Sequence, residues 1–172
     1  MIFARDPRAL LCLNLRKEWA ADQREIAVAL ERQAWCLDQA RQSGWPVFHA
    51  HEARGRGVNP ALRGALRGLA PHRSEPVFVV GAGGVFGNDT LQEALRACAL
   101  RRIYVVGIGQ SAALMHCSHE LRVVSDAFVK LGNGELEVQR VESVEMFADP
   151  VADIVDLGAW RRERARASEG AK

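Results

Sequence analysis

The side chains in this sequence with the most chemical potential fall into two groups. The first is His116, Cys117 and His119. A thiolate formed beside an imidazole attacks carbonyl carbon, so Cys117 is a candidate nucleophile, with His116 or His119 as its base. The commoner reading is a buried structural thiol, because free cysteine is among the most buried residue types. The second group is His49 and His51, followed by Glu52, with His72 and His116 farther along. Residues two apart on a strand share one face, so His49 and His51 could begin a zinc site, which needs three or four converging ligands. Solvated or core-satisfied histidines are the plainer reading. The run GAGGVFG, Gly81 to Gly87, could aim backbone N–H groups at an anion. Phe86, however, occupies the third-glycine place of a G-x-G-x-x-G fingerprint, so a turn needing positive φ is the better reading, and a nucleotide-binding module remains a third functional hypothesis.

These groups need elements to position them. ALLCLNL, Ala9 to Leu15, is a nearly unbroken apolar run, as a parallel strand covered on both faces requires. Asp22 with Glu25 reads as a capping box, and Ile26, Leu30, Ala34 and Leu37 recur at helical spacing until Gly44. Pro46 to Ala50 and Pro76 to Val80 read as strands, with a short helix near Ala61 to Leu69 between them. Asp89 and Gln92 cap a helix reaching Leu100, Ile103 to Val106 is a fourth strand, and a helix from Ser111 leads to a fifth strand at Val123 and Val124. A turn at Gly132 to Gly134 precedes another short strand, and Val141 to Ala148 reads as a helix. The alternation predicts a three-layer α/β/α domain on a mostly parallel, doubly wound, Rossmann-like sheet. Ligands of such sheets bind beyond the carboxyl ends of the strands: Asn14, His49 to Glu52, Gly81 to Phe86, and Gly107 to Ala113.

At those ends the chain resembles the isochorismatase-like cysteine hydrolases, which include nicotinamidases, N-carbamoylsarcosine amidases and isochorismatases. ALLCLNLRKEW resembles the family's opening strand, which usually ends in Asp, and GWPVFHAHEARG its second strand. EPVFVVGAGGVFGNDTLQEAL resembles the segment that carries a lysine, and RRIYVVGIGQSAALMH the one that presents a cysteine. The resemblance implies a triad of aspartate, lysine and cysteine. Its places hold Asn14, Val80 or Gly81, and Ala113, which offer no base, no cation and no nucleophile. The family's common non-proline cis peptide corresponds to Ile108–Gly109, where Gly109 relaxes the demand and either geometry stays open, and the resemblance implies a pocket of Asn14, Trp19, Gly81, Phe86, Ile108, Gly109 and Ala113. Leu121 running almost directly into VVSDAF implies a shortened segment after the cysteine position. Cys117, one helical turn past Ala113, is then a candidate displaced nucleophile.

Composition bounds the rest. The 172 residues, 48 % hydrophobic with a formal charge of +2, suit one domain over residues 1–160, followed by a flexible basic tail, 161–172, carrying Arg161, Arg162, Arg164 and Arg166. Nothing in the charge calls for nucleic acid or membrane. Four cysteines without a Cys-x-x-Cys fit reduced thiols in a cytoplasm. The expectation is a cofactor-free, catalytically silent small-molecule binder or homo-oligomer subunit, the alternative a divergent cysteine- or metal-dependent hydrolase of a C–N bond or vinyl ether.

Overall fold

The computed structural model describes residues 7–21, 23–53, 63–81, 83–135 and 138–147. Its centre is β1 (Arg8–Leu13), buried along its whole length, as an apolar run covered on both faces must be. A short α1 (Lys17–Ala20), which the sequence pattern does not announce, follows, and then α2 (Ala27–Gln42). Helix-favouring Ala, Leu, Glu, Arg and Gln fill α2, and Gln33, Cys36, Leu37 and Ala40 form its buried stripe at the i, i+3, i+4, i+7 spacing of one helix face. The expected capping box does not form: Ile26 stands at the N-cap without a side-chain bond, Glu25 has φ 59°, and Asp22 lies outside the described residues. The helix ends as expected at Gly44, φ 69°, where Trp45 N–H reaches back to the Ala40 carbonyl at 2.9 Å.

Next come β2 (Val47–Glu52), β3 (Val77–Val80), α3 (Asp89–Ala97), β4 (Arg102–Gln110), β5 (Glu120–Leu131) and β6 (Gln139–Val141). They make one six-stranded sheet in the order β3-β2-β1-β4-β5-β6, every pair parallel. This is the expected α/β architecture. Odd positions of β1 pack with Phe48, Phe78, Val105 and α3, and even positions with Val47, Tyr104, Val106 and α2. In α3 the cap is Asn88, one residue earlier than expected, its Oδ1 accepting from Leu91 N at 2.9 Å.

Three expected helices are absent from the described residues. Residues 63–69 form turns and an Arg16–Ala65 bridge; residues 54–62 lie outside the description. Residues 142–147 run as turns, held where Asp126 accepts from Ser143 N at 2.8 Å. From Ser111 only one 3₁₀ turn forms, to Leu114. Parallel strands normally take about a dozen or more residues to cross over, usually through a helix. Here residues 111–119 alone join β4 to β5, and a helix has no room. The expected tail, 161–172, lies outside the described residues.

β5 absorbs an irregularity: its pairing with β4 jumps from Val105↔Val123 to Gly107↔Phe128, so Val124 to Ala127 bulge out. Gly107, φ +133°, sits in the shift, and a Cβ there would lie 2.0 Å from the Leu13 carbonyl oxygen. Only glycine fits. Gly107→Ala should cost about 3 kcal/mol or more, read as a lowered urea midpoint.

Candidate functional site

The strand order reverses between β1 and β4, which is where an open parallel sheet places its ligand crevice. Asn14 stands there, fully buried, with φ 53°, a left-handed conformation that asparagine tolerates. Its Nδ2 donates to the Ile108 carbonyl at 2.8 Å and to Glu52 Oε2 at 3.3 Å, while its Oδ1 accepts from Glu52 N at 2.8 Å. The amide therefore bridges β1, β2 and β4, using a donor and an acceptor at once. A carboxylate cannot do both.

Apart from Gly81, the remaining places of the expected pocket are packed. A Cβ on Gly109 would fall 2.7 Å from Leu13 Cδ2 and 3.7 Å from Phe128 Cζ, so those side chains already occupy the space above it. Ala113 and Phe86 are buried in the same apolar cluster as Leu13, Val80, Val85 and Phe128. Gly84, φ +74°, brings its turn against the Ala113 carbonyl, 3.2 Å from where a Cβ would stand, which bears out the turn reading of the glycine run. Val80 points into the core, whereas Gly81 is exposed with open space around it. Trp19 is buried in α1. No cis peptide occurs among the described residues, so Ile108–Gly109 is trans.

Cys117 is not one turn along a helix from Ala113, as the sequence suggests. The 3₁₀ turn ends at Leu114, Met115 is extended, and His116 takes φ 66°. Cys117 is half-buried against the core, and burial pushes its thiol above the ordinary range. It lines a cleft of about 830 Å³ with Ser111, Leu114, His116, His119 and Leu121. The cleft lies along the crossover between β4 and β5.

The two strand histidines diverge in role. His49 is buried, and its Nε2 pairs with Glu75 Oε2 at 2.8 Å. Glu75 is also gripped by Arg41 from α2, at 2.7 and 2.9 Å, and by His72 N at 3.0 Å. His51 is half-buried, and burial lowers its pKa. Among the described residues no three His, Cys, Asp or Glu side chains converge as a metal site would require. The Glu75 cluster had no sequence signal, since its members lie in three separate segments.

Glu75 carries a desolvation cost, which its bonds to Arg41, His72 and His49 outweigh, holding its carboxyl at about 2. A depressed carboxyl pKa stabilises the fold above the unfolded value near 4.5 and loses that contribution as pH falls toward 2. Burial likewise lowers His49, so proton uptake there also opposes folding in acid. Urea midpoints measured downward from neutral pH should fall across this window, and Glu75→Gln should flatten the acid limb.

Asn14→Asp should destabilise by about 3 kcal/mol near neutrality, because the new charge would face the Ile108 carbonyl and the Glu52 carboxylate in a buried place. Protonation relieves that repulsion, so the deficit should shrink as pH falls. A pH series of denaturation midpoints reads it.

No family model matches the sequence, and no curated protein matches it. Solved structures do. N-carbamoylsarcosine amidase from Thermoplasma acidophilum aligns over 82 % of this chain and 99 % of its own, at 16 % identity and TM-score 0.68. An isochorismatase from Pseudomonas putida KT2440 aligns over 88 % and 85 %, at 20 % identity and TM-score 0.64. The MAR1 ribonuclease from Caenorhabditis elegans aligns over 93 % and 90 %, at 15 % identity and TM-score 0.63. The same backbone thus carries differently named proteins, and fold alone does not assign chemistry. With its all-parallel sheet in the order β3-β2-β1-β4-β5-β6, this chain has the isochorismatase-like α/β fold.

Proposed function

We propose that this protein is a cytoplasmic, isochorismatase-like family member without the family's hydrolytic activity, working as a small-molecule binder or as a subunit of a homo-oligomer. The observation that carries the reading is the state of the switch point: Asn14 spends its amide on Ile108 and Glu52, while Leu13 and Phe128 fill the space above Gly109. General acid–base catalysis alone contributes about 10² to 10⁴ in rate. A chain with alanine for nucleophile and asparagine for base forfeits that and the covalent route together. A vinyl-ether substrate dispenses with the nucleophile but still needs an acid. Glu52 is the nearby carboxyl, and among the described residues Asn14 is the one side chain hydrogen-bonded to it.

The binding reading draws on the 830 Å³ cleft, a volume within the ordinary range for small ligands. The subunit reading draws on Val77 and Val79, which stay 48 % and 58 % exposed on the edge strand β3. Purified protein incubated with nicotinamide, N-carbamoyl compounds, maleamate-type amides and isochorismate should release no product above a protein-free control. Product that depends on the protein and vanishes in Glu52→Gln would overturn the reading.

The alternative, a divergent hydrolase, has one observation in its favour: Cys117, His116 and His119 line a single cleft. Burial, however, raises the pKa of the Cys117 thiol, which is the wrong direction for a nucleophile. Native-state iodoacetamide should therefore label exposed Cys98 first and leave Cys12 and Cys36, both fully buried, untouched. Labelling of Cys117 faster than Cys98 at neutral pH would favour the hydrolase.

A further inference from the structure

We propose that Asn133 is a site of spontaneous deamidation, a covalent change at the rim of the cleft. The chain has four asparagines, followed in turn by Leu15, Pro60, Asp89 and Gly134, so Asn133 alone precedes glycine. A following residue without Cβ lets its backbone nitrogen swing toward the asparagine side chain at least steric cost. Two of the others are committed: Asn14 is buried and bonded through both amide atoms, and Asn88 caps α3 while its Nδ2 donates to the Val79 carbonyl. Asn133 and Gly134 are exposed in the turn between β5 and β6, and no residue hydrogen-bonds to the Asn133 amide or the Gly134 N–H among the described residues. Lys130 Nζ donates to the Gly134 carbonyl oxygen at 2.7 Å, which places a cation on the same turn.

The reaction balances within the chain and water. Gly134 N bonds to Cγ of Asn133, the Cγ–amide bond breaks, and the amide nitrogen leaves as ammonia with the proton that Gly134 N gave up. The resulting imide takes up one water. Opening at Cγ yields aspartate; opening at the main-chain carbonyl yields isoaspartate, with an extra methylene in the backbone. Gly134 is where this matters, because its carbonyl also accepts from Ser111 Oγ at 3.2 Å. That bond ties the turn to the 3₁₀ segment lining the cleft, on which Glu135 also opens. An isoaspartyl linkage would move the carbonyl away from Ser111 and Lys130 and add a carboxylate at the rim.

The test is timed incubation of the full chain at neutral and alkaline pH, followed by peptide mapping. Wild type should accumulate, at residue 133, the mass gain of replacing amide by hydroxyl, with isoaspartate recognised by an isoaspartyl methyltransferase. The rate should rise with pH, since the attacking nitrogen must lose its proton. Gly134→Ala is the matched variant: its Cβ would meet nothing nearer than Ser111 Oγ at 3.7 Å, and Gly134 has no positive φ. The variant should react at least about two- to fivefold more slowly from lost backbone freedom. Deamidation of wild-type Asn133 no faster than in that variant, or no faster than at Asn14 and Asn88, overturns the proposal.

Discussion

The buried amide of Asn14 is the constraint on which the upper end of the sheet depends. It holds three neighbouring strands by donating to Ile108 and accepting from Glu52 N, in a fully buried place where an unmet bond would be costly. An amide does this because one end donates and the other accepts. At this place the side chain is held by its structural role.

The second determinant is the length of the link between β4 and β5. With residues 111–119 alone available, the chain makes a 3₁₀ turn at Ser111 to Leu114, turns again at Met115 and His116, and bends into the start of β5. Ala113 is pinned into the core by that turn and by the close approach of Gly84. Leu114, within that link, and Leu121, just beyond it, line the cleft.

Much of the architecture was legible because buried parallel strands write unbroken apolar runs. ALLCLNL, PVFHA and PVFVV each fell on a strand, and the i, i+4 pattern through Leu30 and Leu37 fell on α2. What failed was local: helices read from propensity at 61–69 in its described part, at 111 onward and at 141–147 were overridden by covering distance and by side-chain tethers such as Asp126 to Ser143. At the site, Asn14 could be placed at the carboxyl end of β1 by pattern. The partners of Asn14 could not, because Glu52 and Ile108 are 38 and 94 positions away. The Glu75 cluster was hidden for the same reason, its bonds joining residues 26 and 34 positions apart.

That cluster has a mechanical consequence. Strand β3 lies at the sheet's outer margin and is only four residues long, so its own ladder to β2 is short. Glu75, immediately upstream, is fastened to α2 through Arg41 and to β2 through His49. A force that peeled the margin from its leading end would therefore load a rivet of charge-assisted bonds before it reached the ladder, and the strand would shear late rather than unzip early.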